Sequence, residues 1–456
     1  MYMKNSVQGI ALLLVLFLGA CSGEKDEAKG ETNGLPDGKA FYRPEEFSGQ
    51  DWHTDDNEYS YNRMICTDNL AIYWGKGFGN DPTHAPLLEG KDMNVDIDNL
   101  KGKLEYFYAY FRDTLQFIKP GVHSNADDYR MMVMVMYSLE GTAYGGTYDD
   151  FIGAFWAAPN RLQDKKLNTV AHELGHSFQL QIIADKQGEA WGGSGFYEMT
   201  SQWMLWQVNP EWVTDENYHF VAFKKNLHKA YLHLENIYRS PYVIEYWGEK
   251  HGRPLIAELY RQGKKGEDPV MTYKEVTGIT QEQFNDEMID CYLHFVNMDY
   301  PRVFDETRQW ANSFEPFGSC LTDAGNGWRQ VDVAHCPENY GFNVIALDVP
   351  EAGQTVTVDF QGMTEAPGYA MYNTGKAGWR YGLVGVDVDG KTVLADEKFS
   401  KSTKGTISFT AQAGKELSHL WLVVMGAPSE HWMNDSTEKD AQWPYQVKVT
   451  GSSILE

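Results

Sequence analysis

The segment "LNTVAHELGHSFQLQII", residues 167–183, limits what this chain can fold into more than any other stretch. Val170, Leu174, Phe178 and Ile182 recur at helical spacing, so Asp164 to Ile183 reads as one helix with an apolar face. On that helix His172 and His176 stand one turn apart on a single face, and Glu173 lies beside it. A pattern of His-Glu-x-x-His arises by chance in only about a few per cent of chains with 13 histidines. Gly175 costs roughly 1 kcal/mol in a helix interior. That cost makes sense where another backbone passes close by.

Two neutral imidazoles at this separation can hold one Zn2+ ion, which in a catalytic site takes a third protein ligand and keeps one open position. Glu198 opens the predicted helix Phe196 to Val208. A helix, a loop and an antiparallel return helix fit the interval from His176, which makes Glu198 the candidate third ligand. His219 and Glu189 are alternatives. Gln202, one turn beyond Glu198, is placed to support a ligand from behind. Zinc lowers the pKa of water towards about 7 and polarises a carbonyl. Glu173 would then take the water proton and pass it to a leaving amine. The oxyanion that forms needs a second electrophile. Tyr242, which opens the predicted helix Ser240 to Gly252 after Pro241, is the candidate, with Tyr238 and His233 as alternatives.

These residues resemble the gluzincin branch of the zincin metallopeptidases. The pattern is His172-Glu173-x-x-His176 with Glu198 as the distal glutamate. "SPYVIEYWGEKHGRPLIAELYRQ" resembles the segment in which gluzincin aminopeptidases place the tyrosine that donates to the oxyanion, which again points to Tyr242. The layout also looks like a group of secreted bacterial lipoproteins with a zincin-like domain and a C-terminal β-sandwich. The resemblance implies an α+β fold: a small mixed sheet with an active-site helix and a helical subdomain, followed by an antiparallel sandwich. It implies that the strand "IGAFWAAP" pairs with an extended substrate through Gly153, Ala154, Phe155, Trp156 and Ala157. That strand lacks the acid of the Gly-x-Met-Glu-Asn segment with which gluzincin aminopeptidases hold a substrate amino terminus. Cleavage of internal bonds in extracellular proteins or glycoproteins is therefore expected.

The two ends of the chain add a setting. Lys4, the apolar run Ile10 to Leu18 and Leu18-Gly19-Ala20-Cys21 resemble a bacterial lipoprotein signal. Residues 1–21 are read as that signal, with Cys21 lipidated and anchoring the protein in the bacterial cell envelope, at the outer membrane or cell surface. Residues 22–40 are polar and charged and read as a tether. Residues 41–305 mix strand and helix signals and form the expected catalytic domain. From 306 to 456, short alternating runs bounded by Gly, Pro, Asn or Asp indicate a β-sandwich. A net charge of −25 excludes nucleic acid as a partner, because no basic stripe exists to meet phosphates. Cys320 with Cys336 is the expected disulfide, and Cys66 with Cys291 is a possible second. The tryptophans Trp379, Trp421, Trp432 and Trp443 are expected to fill the sandwich core. Exposed, they would instead favour the alternative function, a surface protein that binds glycan or protein around a non-catalytic zinc site.

Overall fold

A computed structural model describes residues 35–192, 195–412, 414–433 and 440–456. Cys21 and the apolar run before it lie outside the described residues. The chain is an α+β protein. Its first sheet holds β1 (Met64–Cys66), β2 (Leu70–Trp74), β3 (Met131–Val135), β4 (Ala143–Tyr148) and β5 (Ile152–Ala157), in the order β1-β2-β3-β5-β4. Strands β2, β3 and β5 run parallel, and β1 and β4 run antiparallel on the two edges. Every residue of β2 and β3 is buried, as continuous apolar runs become when both faces of a sheet are covered. Trp52, from the N-terminal segment, lies on Tyr73 with ring centroids 5.1 Å apart.

By sequence, the glycine-rich residues from Gly145 to the next strand read as a loop. They begin instead inside β4, the edge strand. The two glycines at its centre carry no strand signal, yet one of them is required by packing. A Cβ on Gly145 would lie 2.0 Å from the carbonyl oxygen of Glu173 and 2.7 Å from the Cβ of His176. The edge strand thus rests directly on the helix that carries the histidines.

The longer helices among the described residues are α1 (Ile97–Ala109), α2 (Asn168–Ala184), α3 (Gly195–Val208), α4 (Asn217–Lys225), α5 (Tyr242–His251), α6 (Pro254–Gln262), α7 (Pro269–Thr277) and α8 (Gln281–Val296). Helix α3 crosses α2 at Gly175, where a Cβ would meet the Ser201 hydroxyl at 2.6 Å and the Ser201 Cα at 3.5 Å. The Ser201 hydroxyl donates to the His172 carbonyl at the same crossing. Thr280 caps α8 with a reciprocal pair: its hydroxyl accepts from the Gln283 N–H, and the Gln283 side chain accepts from the Thr280 N–H.

The C-terminal strands are β6 (Leu321–Gly325), β7 (Trp328–Val331), β8 (Phe342–Leu347), β9 (Thr355–Gly362), β10 (Trp379–Asp387), β11 (Thr392–Leu394), β12 (Lys404–Thr410), β13 (Leu417–Gly426) and β14 (Tyr445–Thr450). They form two antiparallel sheets, β11-β10-β13-β8 and β12-β9-β14-β7-β6. Strand β12 alternates exposed and buried residues, so its sheet meets solvent on one side. Strands β8 and β13 do not alternate, because their sheet is covered twice. Leu383, Leu422 and Val424 face the second sheet. Phe342, Val344, Val384, Trp421 and Val423 face the helices and share one core with them. Tyr292 of α8 stacks on Phe342 of β8 at 3.8 Å between centroids. The segment before α5 is laced to the sandwich as well. Phe342 N–H donates to the Leu227 carbonyl and Glu338 N–H to the His228 carbonyl, both at 2.8 Å. The Glu338 carboxylate accepts from Ala230 N–H at 2.8 Å.

Trp379, Trp421 and Trp443 are buried, at 1%, 3% and 0% exposure, and Trp432 is half-buried, so among the described residues these four form no open tryptophan platform. The expected disulfides do not form: Cys66, Cys291, Cys320 and Cys336 are all free. Cys336 points into the sandwich core and donates to the Pro337 carbonyl, whereas Cys320 sits outside that core beside Asp332 and His335. Cys291 is buried in α8.

A candidate metal centre between two crossed helices

Helix α2 places the His172 and His176 rings one turn apart, with centroids 4.7 Å from each other. Their Nε2 atoms are 3.1 Å apart. Helix α3 supplies Glu198 from its first turn, and its Oε2 lies 3.1 Å from Nε2 of His172 and 3.2 Å from Nε2 of His176. Three donor atoms therefore meet at the corners of a nearly equilateral triangle. The glutamine neighbours decide what those atoms carry. His172 Nδ1 faces Oε1 of Gln202 at 2.8 Å, and His176 Nδ1 faces Oε1 of Gln179 at 2.9 Å. Each Nδ1 thus donates its proton, and in the neutral ring each Nε2 keeps a bare lone pair. Two lone pairs and a carboxylate oxygen repel unless a cation lies among them.

Zinc fits this donor set. Bonds of about 2.0–2.1 Å in tetrahedral geometry space the donors about 3.3–3.4 Å apart, close to the edges of this triangle. Without a metal, a proton takes the position. Burial works against charge on His176, but the hydrogen bond and the charge of Glu198 lift its pKa to about 9. Burial likewise opposes charge on Glu198, and the two imidazoles outweigh it and hold its carboxyl far below the usual carboxylate range. Glu173 offers a carboxylate oxygen within 4.8 Å of a ring nitrogen of each histidine.

Tyr238 closes the other side. Its ring stacks on His172 at 6.0 Å and 27°, and its phenol lies beside the Glu198 carboxylate. Burial, then the Glu198 charge, push that phenol up, so it is a neutral donor at any ordinary pH. His219 stands behind the site, with Nε2 3.3 Å from the Gln202 amide nitrogen and 3.5 Å from Glu216.

With this geometry established, comparison with known proteins places the chain. Residues 34–456 match the model of a family described as "Family of unknown function (DUF6055)". The chain belongs to this family. No curated protein matches it. Among solved structures, it is similar to the M60 catalytic domain from Clostridium perfringens ZmpC in complex with the sialyl T antigen. That similarity spans 83% of this chain and 68% of the other, at 12% identity and a TM-score of 0.28.

In this DUF6055 chain several sequence-derived expectations move. Tyr242 is not at the site. It is 2% exposed, its ring packs among Phe223, Phe295 and Trp206, and its hydroxyl has no hydrogen-bond partner. The chain runs through a 3-10 turn at Leu234–Asn236 before α5, and this turns Tyr238 rather than Tyr242 towards the histidines. His233 points elsewhere, to Glu338 and Asp440. The Glu189 carboxylate accepts from the Lys265 N–H at 2.8 Å and serves a loop. The substrate strand moves too. Gly153 to Ala157 lie in β5, which is paired on both sides, parallel to β3 and antiparallel to β4. No backbone groups there are open to a peptide; the edge is β4. Gln179, fully buried behind His176, was missed, although it ends the run His-Ser-Phe-Gln one turn after a ligand candidate.

Proposed function

We propose that this chain is a zinc-dependent peptidase that cleaves internal peptide bonds in extracellular proteins or glycoproteins. The observation that carries this reading is the triangle of His172, His176 and Glu198, with both Nδ1 atoms tied off by glutamines. When bound, zinc supplies a Lewis acid that makes water acidic and polarises the scissile carbonyl. The remaining steps belong to the chain. Glu173 takes the proton of the attacking water and later delivers it to the leaving amine. Tyr238 stands in the role first given to Tyr242: its phenol turns from Glu198 to donate to the oxyanion. The open side of β4, Ala143–Tyr148, pairs with an extended peptide, and Gly145 lets the strand lie low over α2. Lipidation of Cys21 would hold the enzyme at the bacterial cell envelope. Replacing Cys21 with Ser should release the protein from the membrane fraction.

The alternative, a protein that binds glycan or protein around a non-catalytic zinc site, would need a binding surface other than the sandwich tryptophans, because three of the four are core residues. Glu173→Gln is the deciding experiment. The variant should keep stoichiometric zinc and lose cleavage of casein and of a mucin-type glycoprotein by about 100-fold or more. A wild-type protein that carries zinc yet cleaves neither substrate would overturn the reading.

A further inference from the structure

The two glutamines behind the histidines do more than fill space. Gln179 Nε2 donates to the Tyr197 carbonyl at 3.0 Å, and Gln202 Nε2 donates to the Tyr238 carbonyl, also at 3.0 Å. These bonds fix which end of each amide faces the imidazole. Turned over, each amide would set its oxygen against a carbonyl oxygen and its NH2 against an Nδ1–H. Both side chains are buried, at 0% and 3% exposure, so water cannot repair such a mismatch. Each amide also links one histidine to a different part of the site. Tyr197 immediately precedes Glu198, so Gln179 joins His176 to the backbone that presents the third donor. Gln202 stands one turn after Glu198 on α3 and joins His172 to the residue whose phenol faces the centre. Its second N–H faces His219.

Building on the zinc-site reading above, we propose that Gln179 and Gln202 are positioning residues that hold α2, the start of α3 and the Tyr238 segment in zinc-binding register. The proposal requires an amide in particular. A carboxylate could accept from Nδ1–H, as in many metal sites, but its second oxygen would face the Tyr197 or Tyr238 carbonyl. Glutamate should therefore not substitute for glutamine at either position.

The test is zinc competition with a chromogenic chelator on the full chain. Gln179→Leu and Gln202→Leu keep the volume and cannot accept the proton. Each should weaken zinc binding by about 10–100-fold, and Gln179→Glu and Gln202→Glu should not restore it. Leucine variants that bind zinc as the wild type does, or glutamate variants that bind it normally, overturn the proposal and leave the zinc site standing. A wild type that holds no zinc overturns both. A second measurement covers variants that fail to fold. In isotope-labelled, zinc-loaded wild type, both imidazole Nδ1 protons should exchange slowly with solvent; rapid exchange at either ring overturns the proposal.

Discussion

Gly145→Ala tests the contact between the edge strand and α2. The added Cβ would stand 2.0 Å from the Glu173 carbonyl oxygen, 2.7 Å from the His176 Cβ and 2.9 Å from the Glu173 carbonyl carbon. Non-bonded carbon atoms settle at about 3.5–4.0 Å, so strand and helix must separate by more than about 1 Å. Overpacking of this kind costs about 1–3 kcal/mol of stability. The larger effect falls on function, because the displaced backbone carries Glu173 and His176, and a misplacement of about 1 Å costs about 100-fold in rate. The neighbouring glycine is an internal control. A Cβ on Gly146 would meet only Trp156, at 3.5 Å, which is ordinary contact. Gly146→Ala should therefore change stability by less than about 0.5 kcal/mol. Urea unfolding and casein cleavage, measured on both variants at saturating zinc, give the two readouts. Wild-type stability and cleavage in Gly145→Ala, or equal damage from Gly146→Ala, would show that β4 does not rest on α2 in this way.

Tyr238→Phe should lower kcat by about 100–1,000-fold while zinc is retained. Tyr242→Phe should leave cleavage unchanged and stability equal or slightly higher, because it deletes a buried hydroxyl without a partner; the reverse ranking would return the oxyanion role to Tyr242. Chelation should lower the unfolding midpoint and added zinc should restore it, since an ion bound only to the folded state at 100 times its Kd stabilises by about 2.7 kcal/mol; a midpoint indifferent to zinc counts against the site. Burial, with smaller contributions from Lys229 and His335, pushes the His228 imidazole from 6.5 down to about 4. The unfolded chain then binds the proton first on acidification. Stability should be full above about pH 6.5 and fall by about 3 kcal/mol in all by about pH 4. His228→Gln should flatten that window, and an unchanged slope would contradict the assignment.

The convergence of His172, His176 and Glu198 was legible because helical spacing alone brings two side chains to one face, and a short return loop brings the third. The sandwich was legible from its short β-rich runs bounded by turn residues, including β8, β10 and β13, where a second buried face replaces the alternation. The edge strand was not legible. Ala143-Tyr-Gly-Gly-Thr-Tyr148 has weak strand propensity, and its glycines answer to a helix distant in sequence rather than to a local turn. The choice between Tyr238 and Tyr242 was equally hidden. The two are close in sequence, and only the path of the chain through Leu234–Asn236 decides which phenol meets the histidines and which meets Phe223 and Phe295. Gln179 left a signal in its spacing from His176, but a glutamine at such a place also reads as a solvated helix face.

The hydrogen bonds between the 227–230 segment and Phe342 and Glu338 tie the approach to Tyr238 to residues distant in sequence. The histidine helix emerges early during translation, but the stretch leading to Tyr238 has no finished surface to settle on until β8 and β13 have been made. A nascent or truncated polypeptide ending near residue 311 would thus contain the whole ligand motif with an unfinished wall beside it. On the peptidase reading proposed above, cleavage would then depend on the last strands as well as on the ligand motif.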